Sequence, residues 1–123
     1  MPPVYGSMMP AMASETTILD PAVAERERVL RILRESEPEL RARGVVRLRL
    51  FGSMARGEAG PESDVDLVAE IDRRRNKFSL IDHIGLEQDL ADVLGRPVEI
   101  STAPWKMRPR MRARVEADAI EVF

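Results

Sequence analysis

The chain has 123 residues, 44% apolar and 33% charged, which suits one ordinary globular domain with a single modest core. Nineteen basic residues, nearly all arginine, oppose 21 acidic ones for a net charge of −2, so no whole-surface footprint for nucleic acid exists. Zero cysteines and one histidine exclude disulfides, thiolate or His-based zinc sites and a Ser-His-Asp triad of the usual kind, leaving oxygen ligands and thus magnesium or manganese for any metal.

Residues 1–17 are rich in Pro, Met, Ser and Ala without periodicity and are expected to form a flexible leader, with the folded domain over 18–123. They have neither the basic start nor the continuous apolar run of a secretory signal. No stretch anywhere approaches the ~20 apolar residues of a membrane span. A cytoplasmic protein is expected. Asp20-Pro21 supplies an N-cap and a first-turn proline, and Val23, Val29, Leu30 and Leu33 then mark a helix through about Glu35. A second short helical piece spans Glu37 to Arg43, ended by Gly44.

Val45 to Phe51 alternates as a strand, placing Val46, Leu48 and Leu50 on one side and Arg47 and Arg49 on the other. Gly52 to Ser63 is a short connection. Asp64 to Asp72 alternates again, with Val65, Leu67, Ala69 and Ile71 toward the core and Asp64, Asp66, Val68 and Glu70 opposite. Arg73 to Lys77 reads as a charged turn. Ser79 opens a third helix with Ile84, Leu90, Ala91 and Leu94 on its apolar face, and Gly95 stops it. Pro97 to Ser101 is a third strand with Val98 and Ile100 inward and Glu99 outward. Pro104 and Pro109 predict a broken helix from Ala103 to about Ala117, and Ile120 to Phe123 a final short strand. The pattern is α/β (α+β): a small mixed sheet with flanking helices.

Chemistry concentrates where Gly52-Ser53 ends one strand and, ten residues later, Asp64-Val65-Asp66 opens the next. A strand period of two projects Asp64 and Asp66 from one face, roughly 7 Å apart along the chain. Two carboxylates at that spacing are relieved by a divalent cation. Gly52 lets backbone pass close to a ligand, and Ser53 offers a hydroxyl and an N–H to phosphate oxygens. An antiparallel return brings the phosphate cradle and the carboxylates to one end of the sheet. That combination suits in-line displacement at phosphorus. Glu99, outward on the third strand, is the candidate third carboxylate, as metal ligand and general base.

The run Phe51-Gly52-Ser53-Met54-Ala55-Arg56-Gly57-Glu58, followed by Ser63-Asp64-Val65-Asp66-Leu67-Val68, resembles the core signature of the polymerase-β-like nucleotidyltransferase superfamily. Within it, the short length, the Ala-Arg-Gly-Glu run and the ending Arg114-Val115-Glu116-Ala117-Asp118-Ala119-Ile120 resemble the minimal nucleotidyltransferases (MNT) that pair with HEPN-domain toxins. The resemblance implies that Gly52, Ser53 and Arg56 hold the triphosphate of ATP and that Asp64, Asp66 and Glu99 bind magnesium. Glu99 stands where the family usually has aspartate. It further implies an antitoxin in hetero-oligomeric association with a HEPN ribonuclease, transferring AMP to a tyrosine of that toxin. Two other functions fit the residues: an antitoxin that neutralises by binding alone, and a nucleotidyltransferase acting on a small molecule of the aminoglycoside kind.

The remaining candidates have plainer roles. His83 is expected to be exposed or packed in its helix rather than to shuttle protons. Trp105, Met107 and Met111 suit equally an exposed partner patch and closure of the core. Arg108, Arg110, Arg112 and Arg114 spread around a helix rather than forming a nucleic-acid stripe. Arg47 and Arg49 share the chemical face, where they either neutralise phosphate or pair with surface carboxylates.

Overall fold

Asp20 accepts the Ala22 N–H at 2.8 Å, a cap that sets the first helix running from the fixed φ of Pro21. The computed structural model describes residues 20–74 and 78–123; the expected leader and the end of the charged turn after Arg74 lie outside them. In chain order the elements are α1 (Pro21–Glu35), α2 (Glu37–Ala42), β1 (Val45–Phe51), α3 (Gly52–Ala55), β2 (Val65–Ile71), α4 (Leu80–Leu94) and β3 (Val98–Ser101). A 3-10 turn (Pro104–Lys106), α5 (Pro109–Asp118) and β4 (Ile120–Glu121) complete the chain. Proline begins both pieces of the broken C-terminal helix, as its spacing predicts.

The strands form one mixed sheet in the order β3-β2-β1-β4. β1 runs antiparallel to β2 and to β4, whereas β2 and β3 are parallel because α4 carries the chain back between them. Ser79 and Asp82 close a reciprocal capping box at the start of α4, and Gly95 ends it at φ 72°. One face of the sheet, with Leu48, Leu50, Val65, Leu67 and Ala69, buries against Val29, Leu30 and Leu33 of α1 and Leu86, Leu90 and Leu94 of α4. Val68 of the sheet and Val115 of α5 are buried apart from that cluster, on the second face that α5 covers in part.

Two inward positions differ from the alternation. The β1–β2 register slips between Val45 and Arg47, so Val45 takes the core position and Val46 is left 43% exposed. Ile84 is also exposed, since the face of α4 that meets the sheet runs through Leu86, Leu90 and Leu94. At the sheet edge His83 Nε2–H donates to the Ile100 carbonyl at 2.8 Å, while the Ile100 N–H donates to Glu87 at 2.7 Å. The His83–Glu87 pair thus satisfies both polar groups of an edge-strand residue. Among the described residues, no helix is long and apolar enough to cross a membrane.

Candidate active site

The site is built at the end of β1. There the backbone turns at Gly52, φ 78°, directly into α3, and the burial of Met54 and Ala55 anchors this corner to the core. Positive φ and crowding both demand glycine: a Cβ at Gly52 would lie 2.6 Å from Oδ2 of Asp66. The N–H groups of the first turn of α3 have no partner within the helix.

Across the sheet, Asp66 stands opposite Phe51 on its antiparallel side and opposite Glu99 on its parallel side. Phe51, Asp66 and Glu99 therefore form one cross-strand row. Asp64 lies just before β2, which begins at Val65, and is exposed, as is Glu99. Burial pushes the Asp66 carboxyl above the ordinary carboxylate range; the charges of Glu99 and Asp64 push it further, and Arg56 partly offsets them. The three sequence-selected carboxylates thus share one electrostatic environment. Among the described residues, no three His, Cys, Asp or Glu side chains converge tightly enough to hold a metal as they stand. Asp64 and Glu99, being exposed, have the freedom to turn toward Asp66.

Arg56 leaves α3 beside the row, donating to Glu58 at 2.9 Å and to Asp118 of α5 at 2.8 Å. Arg47 pairs with Glu121 and Glu70, and Arg49 with Glu116, so both strand arginines are engaged by surface carboxylates. An open cleft of about 470 Å³ adjoins the row, lined by Phe51, Asp66, Glu99, Ser101, Met107 and Met111. The apolar trio flagged by the sequence is divided: the two methionines wall this cleft. Trp105, 59% exposed, lies under the Arg73 guanidinium and lines a separate groove with Val46. His83 faces the Ile100 backbone and is no part of the row.

Sequence reading overlooked a set of residues behind the row. Arg96 donates to Glu25 at 2.6 Å and to the carbonyls of Gly60 and Ser63 at 3.0 and 2.8 Å. Arg28 holds the same Glu25 at 2.8 Å and the Leu94 carbonyl at 2.7 Å. These two guanidiniums, led by the hydrogen bond from Arg28 and opposed by burial, hold the Glu25 carboxyl down to about 2. Nothing local in the sequence announces a contact across 71 residues.

A glycine corner against a carboxylate row on a mixed sheet is the arrangement of a nucleotidyl-transfer fold, and the chain belongs to the nucleotidyltransferase domain family, whose model matches residues 26–121. Among its relatives, it is 34% identical over 92 residues to "Putative protein adenylyltransferase MJ0435" of Methanocaldococcus jannaschii, covering 75% of this chain and 95% of that one. It is 38% identical over 80 residues to protein adenylyltransferase MntA of Thermococcus cleftensis, covering 64% and 78%. A solved structure of a minimal nucleotidyltransferase, described as putative, is 40% identical with TM-score 0.60 over 76% of this chain and 92% of that one. A toxin–antitoxin complex with AMP-PNP shares the fold, at TM-score 0.56 and 19% identity over 80% and 72%.

Proposed function

We propose that this protein transfers AMP from ATP to a tyrosine hydroxyl of a cognate HEPN ribonuclease toxin and thereby silences it. The observation that carries the reading is the cross-strand row: Asp66 packed against the Gly52 corner, with Asp64 and Glu99 near enough to raise its carboxyl. Relatives named protein adenylyltransferase support AMP as the group and protein as the acceptor. The toxin–antitoxin complexes that share the fold support the partner.

Gly52 and Ser53 bind the triphosphate at the corner, where the N–H groups of the first turn of α3 have no partner within the helix and suit phosphate oxygens. Arg56, exposed and paired among the described residues with Glu58 and Asp118, exchanges them for a phosphate. Asp64, Asp66 and Glu99 form an all-oxygen donor set whose mutual repulsion fits magnesium or manganese. Such an ion, when bound, neutralises charge on the triphosphate and favours ionisation of the attacking hydroxyl. Glu99, outermost in the row, takes the proton as the hydroxyl oxygen bonds to the α-phosphorus and pyrophosphate leaves.

The test is to incubate the purified protein with ATP, magnesium and a candidate HEPN partner from the same genome, then read intact masses. One or more adenylate masses on the partner, absent with the Asp64→Asn, Asp66→Asn double variant, is the expected result. No mass change despite a stable complex overturns transfer and leaves neutralisation by binding, a reading favoured by the unconverged carboxylates.

A further inference from the structure

Both carboxylate-bearing strands enter the site from the same corner of the molecule, behind the row. β2 begins one residue after Asp64, which itself follows Ser63, and β3 begins two residues after Arg96. The Arg96 side chain bridges these entries: its Nη1 donates to the carbonyls of Gly60 and Ser63, and its Nε donates to Glu25 on α1. The Val65 N–H donates to the Pro97 carbonyl at 2.9 Å, the first rung of the parallel pair that continues to Asp66 opposite Glu99. Gly60 N–H donates to Ser63 Oγ, closing the loop on itself. Arg96 and Glu25 are 14% and 21% exposed in their side chains, well shielded for an ion pair in so small a protein.

We infer that the Glu25–Arg96 brace is a positioning device for the metal carboxylates, locking Ser63 so that Asp64 is kept beside Asp66 and Glu99, from where the three close on a divalent cation when it binds. The inference rests on the assignment of Asp64, Asp66 and Glu99 as the metal-binding set. A planar guanidinium suits this task because it serves a carboxylate and two carbonyls at once; an ammonium on a flexible stem serves them poorly. Glu25 in turn fixes the guanidinium, and Arg28 fixes Glu25. Loss of the brace leaves the chain folded around its core, which contains neither residue, while freeing the segment that leads into Asp64.

The experiment titrates Mn²⁺ into the whole protein by water-proton relaxation, for wild type, Arg96→Lys, Arg96→Gln and Glu25→Gln, with thermal unfolding alongside. Val29→Ala, a core truncation whose side chain takes no part in the brace, controls for lost stability, and Asp64→Asn defines loss of the site. The expected result is Mn²⁺ binding weakened about tenfold or more in both Arg96 variants and less in Glu25→Gln. Val29→Ala should match the wild-type affinity despite a lower Tm. Wild-type affinity in folded Arg96→Lys and Arg96→Gln overturns the positioning role and leaves the brace purely structural; so does equal weakening in Val29→Ala. Absence of Asp64-dependent Mn²⁺ binding in the wild type refutes the metal assignment itself, which separates the two failures.

Discussion

Oδ2 of Asp66 lies 2.6 Å from where a Cβ on Gly52 would stand, too close for any side chain there. This close fit sets the Gly52 corner at the end of β1 against the start of β2 and its carboxylate row. Gly52→Ala meets both this clash and a φ of 78°. The expected cost is about 1–2 kcal/mol for the left-handed backbone alone, more if the Asp66 side chain is displaced. Denaturant unfolding should show the loss, and nucleotide transfer should fall at the same time because Asp66 moves.

Asp66 also bears on stability. Its carboxyl is raised above its ordinary value, chiefly by burial and then by Glu99 and Asp64, so folding disfavours its ionised form relative to the open chain. A raised folded-state value means that the group adds stability when protonated and costs stability as pH rises past its ordinary value. Asp66→Asn should therefore raise the Tm at neutral pH while sharply reducing transfer, since the proposed metal set loses a carboxylate. Calorimetry and intact-mass rates on the same sample check both signs.

Glu25 has the opposite sign. Its carboxyl, ordinarily near 4.5, is held down to about 2, first by the hydrogen bond from Arg28 and then, against burial, by Arg96. The ion pair contributes stability that is fully present above about 4.5 and drains away as pH falls toward about 2. Allowing for partial exposure, Glu25→Gln should cost on the order of 1–2 kcal/mol at neutral pH. The gap between wild type and variant, followed by Tm from pH 7 downward, should close over that acidic window.

Glu87 accepts from the Ile100 N–H at 2.7 Å, on the strand that carries Glu99. Glu87→Ala leaves that donor unsatisfied at a half-buried edge and should cost about 1–3 kcal/mol, with slower unfolding of the rest than of β3. Glu87→Gln keeps an acceptor oxygen and should cost much less. Amide exchange at Ile100 distinguishes the two, and equal protection in both variants would show the side chain to be dispensable there.

Much of this protein is legible in local sequence because local physics decides it. Asp20-Pro21, Ser79 with Asp82, and Gly95 mark helix ends through bonds that reach no further than four residues. Strand alternation places Leu48, Leu50, Val65 and Leu67, and the Gly52-Ser53 to Asp64-x-Asp66 spacing is short enough to set Gly52 against Asp66. Only the tertiary structure decides the rest. Val46 lies outside because a bulge, set by pairing with β2, hands the core position to Val45. Ile84 lies outside because the angle at which α4 meets the sheet selects Leu86, Leu90 and Leu94. Arg47 and Arg49 are taken by Glu121, Glu70 and Glu116, partners that no periodicity reveals. The Glu25–Arg96 brace joins residues 71 apart, and such pairings depend on how elements dock, which propensity and spacing do not encode.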